Sequence, residues 1–162
     1  MEIHNLFAIQ KELNDRIIQE HDLFDYHLFK DQLLAFTVEI GELANETRCF
    51  KYWSKKAASK RAVILEEYVD GLHFVLTLGL SLNFTSITVK EEYPQVRHTT
   101  EQFLLIIKQA LELDTAPSQE AFQLLVDEFF TLGQQLGFSM EEIEKAYLEK
   151  NKVNHQRQDN GY

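Results

Sequence analysis

The sequence predicts an all-α helical bundle in one domain, residues 1–162. Three observations carry that expectation. Only 2 prolines and 6 glycines occur in 162 residues, too few punctuators for a sandwich of many short strands. Apolar residues recur at helical spacing in six successive segments. The length fits one domain, which buries roughly 70% of its unfolded surface and needs no disulfide or structural metal.

The first helix runs from Glu2 to about Glu20 on Ile3, Leu6, Phe7, Leu13 and Ile17. Gln10 and Asn14, four apart, fall in line with that stripe. The second runs from about Tyr26 to Arg48, with Phe29, Leu33, Phe36, Ile40 and Leu43 as its core face. The stretch CFKYWSKKAASKR follows, and five of the 16 basic residues lie within Lys51–Arg61, so it reads as a functional loop or short helix. A third helix, from about Ser59 to Leu82, is apolar nearly all round in its second half and should be central. Asn83 to Pro94 holds β-favouring Thr85, Ile87, Thr88 and Val89, but is short and isolated, and is expected to be a connection.

The fourth helix starts at Thr99, which with Gln102 forms a capping-box pattern, and ends near Leu113. Pro117 and Ser118 open the fifth, which ends near Gly137. Ser139, Glu142 and the Phe138–Ile143 staple open the sixth, expected to reach about His155 before a polar tail, Gln156–Tyr162. Such stripes pack against one another or against a second subunit, and the apolar third helix is the expected seat of part of any such interface.

The 16 basic and 26 acidic residues give a net charge of −10, a poor basis for wrapping nucleic acid. A lone cysteine, Cys49, excludes a disulfide scaffold and fits a reducing compartment. MEIHNLF has no basic segment followed by an apolar one, so no signal peptide is expected. Leu72–Leu82 is too short to span a bilayer. A cytoplasmic protein without membrane or nucleic-acid partners is the expectation.

Four carboxylates carry the chemistry. Glu39 and Glu42 on the second helix, and Glu67 and Asp70 on the third, are each spaced to share a helix face. With Glu46, the first pair lies beside the apolar face rather than opposite it. Glu67 and Asp70 keep company with Val63 and Phe74. Like charges at a core edge raise one another's pKa and call for a counter-ion. Mg²⁺, a hard oxygen-seeking cation, is the natural partner, and four carboxylates suffice for two ions. Clustered His or Cys for zinc is missing.

EIGELANETRCFKYWSKK followed by ILEEYVDGLHFVL resembles the all-α NTP pyrophosphatase (MazG-like) superfamily, whose ExxE and ExxD signature is matched by Glu39, Glu42, Glu67 and Asp70. Gln10 with Asn14, FKYWS with Trp53, and AYLEKNKVNHQRQDNGY are similar to the dimeric dUTPases within it. The resemblance implies an all-α homodimer that uses Mg²⁺ on the four carboxylates to hydrolyse dUTP, and dUDP, to dUMP. It implies a water nucleophile activated by a glutamate, for which Glu39 and Glu42 are the candidates.

An amide can donate and accept, so Gln10 and Asn14 suit the pairing edge of uracil. The resemblance puts Trp53 against the base and Phe74 against the deoxyribose; Lys51, Lys55 and Lys56 of the basic loop are candidates to reach phosphates by their charge. His73 reads as a core histidine or one supporting the site. On the last helix Lys150, Asn154 and Arg157 share a face that the family closes over the triphosphate, with Tyr147 and Asn151 beside it, and the tail 156–162 is expected to order over the nucleotide. The open alternatives are a pyrophosphatase for another nucleotide such as dCTP, and a non-catalytic acidic interaction module.

Overall fold

A computed structural model describes residues 1–162 as six helices without strands: α1 (Ile3–Glu20), α2 (Phe29–Thr47), α3 (Arg61–Leu82), α4 (Thr99–Thr115), α5 (Gln119–Gln135) and α6 (Met140–Asp159). α3 packs against α1, α2, α5 and α6, as its all-round apolar second half requires. Val69, Leu72, Val75, Leu76 and Leu78 are each at most 1% exposed. At Gly79 a Cβ would lie 2.6 Å from the Phe122 ring and 2.9 Å from that of Phe7, so glycine lets α1 and α5 close on α3. Lower down, Tyr68 stacks on Phe129 at 4.4 Å and donates its hydroxyl to the Phe129 carbonyl at 2.9 Å.

Three expectations needed adjustment. α4 is capped at His98 with Glu101, not at Thr99 with Gln102. Gln102 turns inward instead, donating to the carbonyl and the carboxylate of Glu128 at 2.9 and 2.7 Å. α6 runs past His155 to Asp159, because Arg16 on α1 binds the His155 carbonyl at 3.1 Å and the Asp159 carboxylate at 2.6 Å, tying the end of the helix down. The apolar second half of α3 is used up inside the chain. The exposed apolar side chains lie elsewhere, among them Leu34 and Val38 on α2 and Leu104 and Leu111 on α4, helices that pack together.

The segment between α3 and α4 is a connection, as expected. It is held by α5, whose glutamines act as a substitute sheet edge. Gln123 pairs with both backbone groups of Thr88 at 2.9 and 2.8 Å. Gln134 bridges the Tyr93 N–H and the Glu91 carbonyl at 2.8 and 2.7 Å. Side-chain amides here take the backbone partners that a neighbouring strand would otherwise supply.

Candidate active site

α2 and α3 bring the carboxylates together. Glu39, Glu67 and Asp70 each offer an oxygen within 4.8 Å of the others. Glu39 and Asp70 line an open cavity of about 500 Å³ between α1, α2, α3 and α6. Glu67 lines a second, of about 370 Å³, with Glu42 and Glu46. The triad thus joins the two hollows. Glu42 stands next to it, exposed, while Glu46 is tied to the Ser59 hydroxyl and so pins the end of the basic loop to α2.

The electrostatics follow from crowding. Burial, then the charges of Asp70 and Glu42, push Glu39 up to about 7. Burial, Asp70 and Glu42 raise Glu67 as well. Asp70 is raised by burial even though Lys150 opposes the shift. The Lys150 ammonium bridges Glu66 and Asp70 at 2.8 and 2.9 Å. Burial works against that charge, but the two carboxylates hold its pKa up, and its hydrogen bond lowers Glu66. One ammonium against so many carboxylates leaves a surplus of negative charge on convergent oxygen donors. That set fits a hard divalent cation.

The other wall is polar at one point. Gln10 donates to Asn14 at 2.9 Å, and Asn14 donates to the Thr77 hydroxyl at 3.2 Å. His73 and the Tyr147 hydroxyl reach the Gln10 carbonyl at 2.6 and 2.9 Å. Phe74 lines the cavity beside this network, and Asn154, Arg157, Gln158 and Tyr162 line it from α6 and the chain end. Gly161, at φ +70°, turns the chain so that the Tyr162 N–H binds the Arg157 carbonyl at 2.9 Å, with the guanidinium over the Tyr162 ring.

Most of the residues singled out in the sequence therefore meet. Gln10, Asn14, Glu39, Asp70, Phe74, Asn154 and Arg157 line one cavity, with Lys150 on Asp70. Trp53 and Lys56 do not join them. Trp53 is 64% exposed and packs edge-on against Tyr52 and Phe50. The loop that carries both is held by Arg48, which donates to Ser54 and to the Lys56 carbonyl. Sequence reasoning missed Thr77 and Glu66 as neighbours of the site, while Tyr162 lies in the tail expected to cover it. A signal existed for Thr77: it and His73 interrupt an apolar helix four residues apart, matching the Gln10–Asn14 spacing they pair with.

No curated protein matches the chain. The family model described as dUTPase matches residues 2–162, every helix that carries a carboxylate or lines the cavity included. On that match, with an all-helical fold and convergent carboxylates beside a nucleotide-sized cavity, the chain belongs to the dUTPase family and is a dUTP diphosphatase.

Proposed function

We propose that the protein hydrolyses dUTP, and dUDP, to dUMP with Mg²⁺, as a cytoplasmic homodimer that limits uracil in DNA and supplies dUMP. The observation that carries this reading is the convergence of Glu39, Glu67 and Asp70 at a cavity that Gln10 and Asn14 also line. Glu39, Glu42, Glu67 and Asp70 would hold the metal. When bound, Mg²⁺ neutralises polyphosphate charge and makes water near it easier to deprotonate. Glu39 is the first candidate to take a proton from water at the site and Glu42 the second; in the metal-free protein, burial and the neighbouring carboxylates raise Glu39 to about 7.

Gln10 and Asn14 contact the base. Phe74 packs on the deoxyribose and excludes a 2′-hydroxyl. Asn154 and Arg157 bind phosphate oxygens, Arg157 through its planar fork. Lys150, held on Glu66 and Asp70, would reach the phosphates, and the tail 156–162 closes over the nucleotide. Trp53 and Lys56 contact the substrate only if their loop moves or a second subunit presents it. Leu34, Val38, Leu104 and Leu111, on two helices that pack together, are the exposed apolar surface we assign to the dimer.

Asp70→Asn and Glu42→Gln test the reading. Each should lower dUTP turnover by about 10³-fold or more while the helical circular dichroism spectrum is kept. Near-normal rates in both would contradict it.

A further inference from the structure

Gln10 is 3% exposed, and its amide is engaged on both ends. Its carbonyl receives His73 at 2.6 Å and the Tyr147 hydroxyl at 2.9 Å. Its nitrogen donates to Asn14 at 2.9 Å. A carbonyl oxygen has two acceptor sites and an amide nitrogen two N–H groups. The carbonyl is therefore full, and one N–H remains on a side chain that lines the cavity.

The chemistry of the partners fixes this orientation. The Gln10 Oε1 cannot donate, so Nδ1 of His73 carries the imidazole proton. Burial, aided by the Lys150 charge, holds His73 neutral with its pKa down at about 3. Its Nε2 is then a bare acceptor, buried and without a partner. With the amide reversed, Nε2 would be a buried donor without an acceptor, and orphaned donors are the rarer case. The Tyr147 hydroxyl hydrogen would also have to turn to the Leu6 carbonyl at 3.4 Å, a longer bond than the one to Gln10. The His73 and Tyr147 rings stack at 4.4 Å, so each keeps the other aimed at Gln10.

We propose that His73 and Tyr147 are positioning residues for base selection: by filling the Gln10 carbonyl they make its amide a donor only, so that it donates to a ring carbonyl and rejects a ring amino group. Uracil presents a carbonyl where cytosine presents an amino group. A freely turning amide could serve either base; a locked one cannot. The inference rests on the reading of Gln10 as a base contact.

The test is the ratio of kcat/KM for dUTP to that for dCTP, in the wild type and in Tyr147→Phe and His73→Phe. Partial unfolding lowers both values alike, so the ratio reports the base contact and not stability. Tyr147→Phe keeps the ring and removes one donor to Gln10. The ratio should fall about three- to tenfold in each variant, the effect of one neutral hydrogen bond. A wild-type preference for dUTP that survives both substitutions unchanged overturns the inference and leaves the uracil reading standing. A wild type that does not prefer dUTP overturns that reading and the inference with it.

Discussion

At the scale of single residues, Glu39 shows what crowding carboxylates costs. Its pKa is raised to about 7, first by burial and then by Asp70 and Glu42. A carboxyl raised in the folded state binds its proton longer there than in the unfolded chain. Stability of the metal-free protein therefore falls as pH rises from about 4.5, the unfolded value, to about 7, and the loss is complete above that. Glu39→Gln should match the wild type in melting temperature at pH 4.5 and exceed it at pH 8, without metal. Thermal melts across that range would contradict the account if the two curves ran parallel. The carboxylates were legible in the sequence because helical spacing alone puts Glu39 beside Ile40 and Asp70 beside Phe74. The commitments of individual hydrogen bonds were not. Gln10 looked like an amide free to donate and accept, and only the approach of His73 and Tyr147, both far away in the chain, uses up its carbonyl. Lys150 looked like a phosphate ligand, yet it rests on Glu66 and Asp70, a pairing set by how α6 crosses α3.

At the scale of elements, α3 organises the rest. Its apolar run made its central place readable, and at Gly79 the Phe7 ring of α1 and the Phe122 ring of α5 press on it. Gly79→Ala should gain helix propensity of about 1 kcal/mol but force a methyl against Phe122 and Phe7, and overpacking of that kind costs ~1–3 kcal/mol. A lower urea midpoint is expected; a higher one would mean that the two rings move aside at little cost. The helix starts split by cause. Ser139 accepts from the Glu142 N–H at 3.1 Å and Glu142 accepts from the Ser139 N–H at 2.9 Å, the reciprocal box that the sequence spelled out. Thr99 fits the same pattern, but a tertiary contact recruits Gln102 and moves the cap to His98. The far end of α6 was also set by tertiary contact, since nothing local in HQRQD announces the Arg16 clamp.

At the scale of the whole molecule, whose net charge is −10, one acidic junction between two cavities gathers Glu39, Glu67 and Asp70, with Glu42 and Glu46 beside them. A cation that binds there and not to the unfolded chain stabilises the fold by mass action. Millimolar Mg²⁺ should raise the melting temperature by several degrees, and Asp70→Asn should remove most of that rise. An unchanged melting temperature in the wild type would count against a preformed site. The proposed dimer predicts a sedimenting species of twice 19.0 kDa, and Leu34→Lys together with Leu104→Lys should shift it towards the monomer. A wild type that sediments as a monomer at micromolar concentration would remove the dimer from the account. The central claim is that this junction, beside a cavity selective for uracil, hydrolyses dUTP with a metal. Product analysis with each of the four common dNTPs, with dUTP and with dUDP, in the presence and absence of Mg²⁺, tests it most directly. The account predicts metal-dependent release of dUMP from dUTP and dUDP and little product from the others. Equal turnover of all the nucleotides, or conversion of dUTP that persists after complete removal of divalent metal, would contradict it.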